Sequence, residues 1–451
     1  MAHSRKSKSN SLLDHLEETL HAHVKPNDHL IVALSGGIDS IVLLDALASY
    51  SKPMRFSLSA THVNHGISEN ASYWSEFCSQ LCSTINIPIS VTQLNVKSAP
   101  GQSLEAAARD ARYRVFNHLA ANYIVLAQHK DDQAETLFLQ LLRGAGVKGL
   151  AAMPVIRKQT SNTAPQILRP LLQVSRREIE NYAKQNQLSW IEDESNENTR
   201  FNRNFLRHEI FPQLEKRYPS YKTTFLRASR HLAEASALLD ELAMLDQKNC
   251  SQAKKIQIDR LARLSLPRAK NLLRFVFSQQ GVTLPSTAKL DNLLHQLLSS
   301  RPDSKLKIPL DNLEIRCYQG AINIIPKKTA PHEELLVTWQ GEKQLELKQL
   351  NGLINFEHTK DTGINLQKLN QHPVTIRLRQ GGEHFQPHNK RPRRSLKNML
   401  YEAAIPPWER STLPLLFSGE QLVWVPSIGI DCEFQVMLGE LGLNPTWQPY
   451  E

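Results

Sequence analysis

The chain has 451 residues, more than one hydrophobic core usually supports, so two or three domains are expected, and its 41% apolar content is ordinary for a soluble globular protein. A formal net charge of +10 favours a polyanionic partner, nucleic acid or an anionic membrane surface. No apolar run approaches the roughly 18 to 20 residues needed to span a bilayer, and the N-terminus MAHSRKSKSN carries neither h-region nor cleavage site, so a cytoplasmic protein without a membrane segment is expected.

The first 200 or so residues alternate helical and strand-like patterns. Leu12, Leu13, Leu16 and Leu20 fall at helical spacing, and the short apolar run from His29 to Leu34 reads as a buried strand. Helical segments near 40–50, 70–85, 103–121 and 131–143 interleave with strands near 56–63, 88–94 and 123–128, which predicts a parallel sheet wrapped by helices. Cys78 and Cys82, at i and i+4, are able to share a helix face, but no second Cys or His pair completes a metal site. The odd, scattered set of five cysteines is no disulfide framework. Ser175-Arg-Arg-Glu178 has the form of a capping box and is read as a helix start and nothing more. From about 220 to 300 the pattern turns helical, and strands return near 305–325. Pro326-Lys-Lys-Thr-Ala-Pro331 reads as a linker, and a helix is expected near 395–404. The expected division is 1–218, an α/β nucleotide-binding domain; 219–330, a mainly helical domain; and 331–451, a small α+β domain.

Between the first strand and its helix lies Ser35-Gly36-Gly37-Ile38-Asp39-Ser40. Exposed amides and the positive helix end favour an anion there. Gly36 and Gly37 allow close approach, Ser35 and Ser40 add hydroxyls, and Asp39 suits magnesium better than phosphate. A Walker A loop needs Gly-Lys-Ser/Thr and a dinucleotide fold needs Gly-x-Gly-x-x-Gly, and neither spacing occurs here.

The hexapeptide resembles the pyrophosphate loop of the PP-loop superfamily, with its Rossmann-like parallel sheet, whose members split ATP between the α and β phosphates. Four further stretches, Thr61–Ser68, Glu105–Tyr113, Ala127–Thr136 and Asp193–Asn196 with the arginines after it, make the chain similar to the tRNA(Ile)-lysidine synthase family. The resemblance implies adenylation of the wobble cytidine of isoleucine tRNA with a CAU anticodon. The amine of free L-lysine then displaces AMP, and decoding changes from AUG to AUA. It also implies ATP in the Ser35–Ser40 loop, Mg2+ at Asp39 and Asp132, and catalytic work by Asp39, Asp132, Glu135 and Arg203, with Glu135, Arg109, Arg112 and Arg207 facing lysine or tRNA. A homodimer is compatible with this family.

The residues leave alternatives open. Asp132 and Glu135, at i and i+3, suit magnesium or a lysine cation, or else merely cap their helix. His129 ranks below them, as a lone His near a strand end is more often structural. Arg109 and Arg112 contact phosphates or form a solvated, salt-bridged face. Arg200, Arg203 and Arg207 recur on one approximate helical face.

Between Arg377 and Lys397 stand seven cations, including Lys390, Arg391, Arg393, Arg394 and Lys397, against the single acid Glu383, a phosphate-seeking composition. This stretch resembles the C-terminal domain of longer lysidine synthases, which implies that Arg393, Arg394 and Lys397 grip tRNA, although Asn398 and Met399 replace an expected basic and aromatic pair. Rival readings fit less well. A thiolase on the same loop normally needs Cys-x-x-Cys or a persulfide cysteine, an amidase needs a nucleophilic cysteine context, and an RNA-binding protein with an idle nucleotide fold would not need the intact loop.

Overall fold

The computed structural model describes residues 11–66, 68–96, 104–157, 164–252, 255–282, 286–300, 306–310, 313–327 and 335–450. The chain divides into two compact units, residues 1–242 and 243–451.

The first unit is built on six strands, β1 (His29–Ala33), β2 (Ser57–Asn64), β3 (Ile89–Gln93), β4 (Tyr123–Val125), β5 (Ile156–Arg157) and β6 (Gln166–Leu168), in the order β3-β2-β1-β4-β6-β5. All neighbours run parallel except the edge pair β5–β6, which is antiparallel. Helices α1 (Ser11–His23), α2 (Ile38–Met54), α3 (Ala71–Thr84), α4 (Leu104–Asn117), α5 (Lys130–Leu142), α6 (Val147–Leu150) and α7 (Arg176–Gln185) complete the α/β domain that the alternating pattern predicts. In α1, Leu12, Leu16 and Leu20 line one face at i, i+4 and i+8 and are fully buried, each contributing about 1.5–3 kcal/mol of apolar burial. Cys78 and Cys82 sit in the same core, where burial pushes their thiols up to about 12 and about 11. That chemistry suits packing rather than ligation.

Strand β1 pairs with β2 on one side and β4 on the other, so the strand order reverses at β1. In such sheets the crevice beyond the carboxyl ends of the strands at the reversal is where a ligand fits. The loops after β1, β2, β4 and β6 all meet there.

The second unit has two parts with separate apolar clusters. Helices Leu266–Gln279 and Thr287–Ser299 pack against the sheet formed by Ser251–Gln252, Lys255–Gln257, Ala321–Pro326, Leu313–Tyr318 and Lys307–Leu310. The C-terminal part has a five-stranded and a four-stranded antiparallel sheet enclosing Trp339, Ile354, Phe356, Ile376 and Val423. A helix at Leu396–Glu402 lies on its own small cluster with Phe385 and Leu415. The expected linker at 326–331 falls largely outside the described residues.

Candidate active site at the carboxyl edge of the sheet

The loop from Ser35 to Ser40 is a closed set of hydrogen bonds. The Ser40 hydroxyl donates to the Gly37 carbonyl at 2.9 Å, accepts from the Ser35 amide at 3.1 Å and lies 3.1 Å from the Ser35 hydroxyl. Ser40 is buried, so its hydroxyl shapes the turn. Gly36 has φ +89°, a conformation that demands glycine, and a Cβ there would also crowd Ile191 Cδ1 at 3.0 Å and Cys78 Sγ at 3.3 Å. Gly37 has extended backbone and caps α2, and Ile38 turns its side chain into the core, offering the site only its amide. The 17-residue α2 therefore presents its amino end to the crevice, the place where an anion is best held.

Opposite the loop is the start of α5. His129 is its N-cap: Nδ1 accepts from the Asp131 amide at 3.3 Å, while the His129 amide donates to Asp132 Oδ2 at 3.0 Å. With Nδ1 accepting, Nε2 faces Asp39 Oδ1 and Asp132 Oδ2, each 3.6 Å away. The capping box thus belongs to His129 and Asp132, and Glu135 lies outside it. His129 is buried and organises both acids, a more central position than its sequence context suggests.

Each acid here has a cation brought from elsewhere. Arg207 binds Glu135 through Nε and Nη2 and reaches Asp132 Oδ1 at 3.0 Å. It sits in a π-helical turn, Leu206–Ile210, of a kind that often re-aims a side chain at a functional site. Arg203, one turn earlier and half-buried, adds its positive field at Glu135. Arg200 lies in the turn before that helix and does not join them on one face. Lys222 Nζ contacts Asp131 Oδ1 at 2.6 Å, and Arg176 Nη1 lies 2.6 Å from both oxygens of Asp39. Burial pushes Glu135 upward and prevails over the pull of Arg207. At Asp131 burial also acts upward, but the Lys222 hydrogen bond and the Arg176 amide outweigh it and the carboxyl is held below the ordinary range.

A cavity of about 470 Å3 opens over this floor, lined among others by Ser35, Asp39, Ser40, Arg112, Tyr113 and Asp132. His65 stands on its wall, and its buried Nδ1 has no hydrogen-bond partner among the described residues. Arg109 is exposed, its guanidinium 5.5 Å from the Tyr113 ring centre, and Arg157 lies 4.7 Å from the same ring. Buried Arg169 binds the Gln128 side chain and the Pro154 carbonyl. Burial alone would raise the Tyr113 hydroxyl, yet Arg169, Arg109, Arg157 and Arg112 together pull it below its usual value. Arg157, Arg169, Arg176 and Lys222 escape a reading of the sequence, because only strand order brings them here.

Asp39 Oδ1 and Asp132 Oδ2 both face His129 Nε2 beside the phosphate loop, and two such carboxylates suit an ion also held by phosphate oxygens and water. No group of three or more His, Cys, Asp or Glu side chains forms an all-protein metal site among the described residues.

In the second unit the basic segment is less naked than its composition suggests. Arg377 pairs with Glu420, Arg393 with Asp431 and Glu433, and Arg394 with Glu402. Lys397 lines a cavity of about 280 Å3 with Arg379 and Arg410.

Comparison with known families places these features. A family profile described as a PP-loop domain matches residues 6–214, a TilS substrate binding domain matches 256–322, and a TilS substrate C-terminal domain matches 374–447. A tRNA(Ile)-lysidine synthase of Nitrosomonas europaea is 48% identical, covering 100% of this chain and 98% of the relative. Namesakes from Coxiella burnetii (36% identical, 94% of each chain) and an Azoarcus species (37%, 95% of this chain and 93% of the relative) match almost as fully. With its phosphate loop, its acid cluster and this likeness along its whole length, the chain belongs to the tRNA(Ile)-lysidine synthase family.

Proposed function

We propose that the chain ligates L-lysine to the 2-carbon of the wobble cytidine of isoleucine tRNA bearing a CAU anticodon, consuming ATP and releasing AMP and pyrophosphate. The observation that carries this reading is the convergence of Asp39 and Asp132 beside the Ser35–Ser40 loop, on the floor of a cavity able to take a nucleotide.

The loop amides and the α2 terminus hold the phosphates of ATP. Magnesium, when bound, neutralises charge building on the α-phosphate, and Asp39 and Asp132 are the residues to hold it. The cytosine 2-oxygen attacks the α-phosphorus and pyrophosphate leaves. The lysine amine then attacks the base carbon, the bond to the AMP oxygen breaks, and the amine gives up a proton. Free lysine has a pKa of about 10.4, so the site must favour the neutral amine. Glu135 orients the lysine, and its upward shift from burial makes it a stronger base than an exposed carboxylate. Arg112 on the cavity wall and Arg109, Arg203 and Arg207 nearby face phosphate or nucleotide. Arg393, Arg394 and Lys397 contact the tRNA backbone. These substrates place the reaction in the cytoplasm, and no helix among the described residues is long and apolar enough to cross a membrane.

The test is incubation with unmodified isoleucine tRNA, Mg-ATP and radiolabelled lysine. Stable, ATP-dependent label at the wobble base is expected. Its absence from folded protein that still binds the tRNA would overturn the assignment.

A further inference from the structure

Arg176 stands out because it occupies a group the reaction needs. Its backbone is fixed: Ser175 and Glu178 close a capping box, with the Ser175 amide 2.7 Å and its hydroxyl 2.6 Å from Glu178 Oε2, and the Arg176 amide donates to Asp131 Oδ2 at 3.0 Å. Its tip is less fixed. The side chain is 40% exposed, with Nη1 on both Asp39 oxygens and Nε on Glu180 Oε1 at 3.0 Å. Both Asp39 oxygens are thus spent on one guanidinium nitrogen, in the first turn of the phosphate-loop helix.

A divalent ion and a guanidinium are like charges and compete for the same carboxylate oxygens at contact distance. Occupation of Asp39 by the ion therefore weakens the hold on the tip of Arg176 and favours its departure. The anion delivered at that moment, within reach of the same loop, is the phosphate chain of the nucleotide, and a guanidinium fork matches phosphate oxygens.

Resting on the reading of Asp39 as a magnesium residue, we infer that Arg176 is a phosphate-binding residue held in reserve: it neutralises Asp39 and turns onto the ATP phosphates when a divalent ion takes its place. The exchange couples the two ligands, because metal binding frees the guanidinium and the nucleotide then captures it.

The test follows Mn2+ binding to the full-length protein by the electron paramagnetic resonance of free Mn2+, and binding of α,β-methylene-ATP by calorimetry in saturating Mn2+. In R176M, Mn2+ alone is expected to bind about tenfold more tightly, since its competitor is gone, and the analogue about tenfold more weakly, each step being about 1.4 kcal/mol. R176K keeps a point charge but loses the fork and moves both constants in the same directions by smaller factors, and it carries the test if R176M does not fold. Unchanged Mn2+ binding in both variants, with D39N weakening Mn2+ binding, overturns the exchange and leaves Asp39 as the metal residue. No effect of D39N on Mn2+ binding overturns both that assignment and the inference.

Discussion

The acid cluster of the first unit and the basic segment of the second are built alike and behave differently. In the first, Asp39, Asp131, Asp132 and Glu135 are each matched by Arg176, Lys222 or Arg207. In the second, Arg377, Arg393 and Arg394 are matched by Glu420, Asp431, Glu433 and Glu402. Glu135 has a side chain 1% exposed, whereas Glu420 is 90% exposed. A surface pair is worth about 0–1 kcal/mol and is screened by salt, so a tRNA phosphate displaces it readily. Breaking a buried pair leaves a desolvated charge, so the acid cluster yields only to a ligand that replaces the lost cation. The exposed pairs of the basic segment, Arg377–Glu420 and Arg394–Glu402, are thus open to exchange with a polyanion, whereas the Arg207–Glu135 pair is selective.

The largest effect that would sharpen this contrast is at Asp39. Asp39→Asn should lower ATP–pyrophosphate exchange by about 100-fold or more while circular dichroism shows an intact fold, because charge stabilisation is lost where it is most needed. Normal exchange would remove Asp39 from the chemistry. Next, Glu135→Gln leaves Arg207 with Asp132 as its remaining acidic partner. We expect a raised KM for lysine with ATP–pyrophosphate exchange largely retained. An unchanged KM for lysine would detach Glu135 from that substrate.

Asp131 and Glu135 differ in the sign of their pH dependence. Asp131 is held below the ordinary carboxylate value, so its contribution to stability is full above that value and disappears as pH falls through the depressed one. Glu135 is raised, so its contribution is full below the ordinary value and is lost as pH rises through the elevated one. Lys222→Met removes the strongest influence lowering Asp131 and leaves the Arg176 amide and His129 alone against burial. Urea denaturation across a pH series should then show acid destabilisation beginning at higher pH, and an unmoved acid limb would disconnect Lys222 from Asp131.

The smallest effects belong to the basic segment and separate two adjacent arginines. Asp431 is 1% exposed and also accepts amides of Gln386 and Glu433, so Arg393→Ala should cost about 1–2 kcal/mol in urea denaturation. Arg394 pairs only on the surface with Glu402. Arg394→Ala should leave the melting temperature in place and reduce the salt dependence of tRNA binding by about one counterion. A stability loss in Arg394→Ala with an unchanged salt slope would mean that the exposed pair is structural.

Chain-local features were readable directly. The stripe of Leu12, Leu16 and Leu20, the buried run of β1, the Ser35–Ser40 turn and the Ser175–Glu178 box each depend on neighbours within a few residues, where helical and strand periods fix who meets whom. His129 was harder to weigh, since a histidine cap that aligns two acids looks the same in sequence as any histidine after a strand. The seven cations of 377–397 are plain in the sequence, but the acids that answer Arg377, Arg393 and Arg394 lie beyond that window.

The sequence by itself determined the α/β class, the phosphate loop and the family, because each is carried by contiguous residues whose spacing has a direct physical meaning. Only the tertiary structure decided which cation answers which acid. Arg176 and Asp39 are 137 residues apart and Arg207 and Glu135 are 72 apart. No period along the chain encodes such pairs; they follow from the order in which parallel strands lie side by side, which sets the loops that share one edge of the sheet.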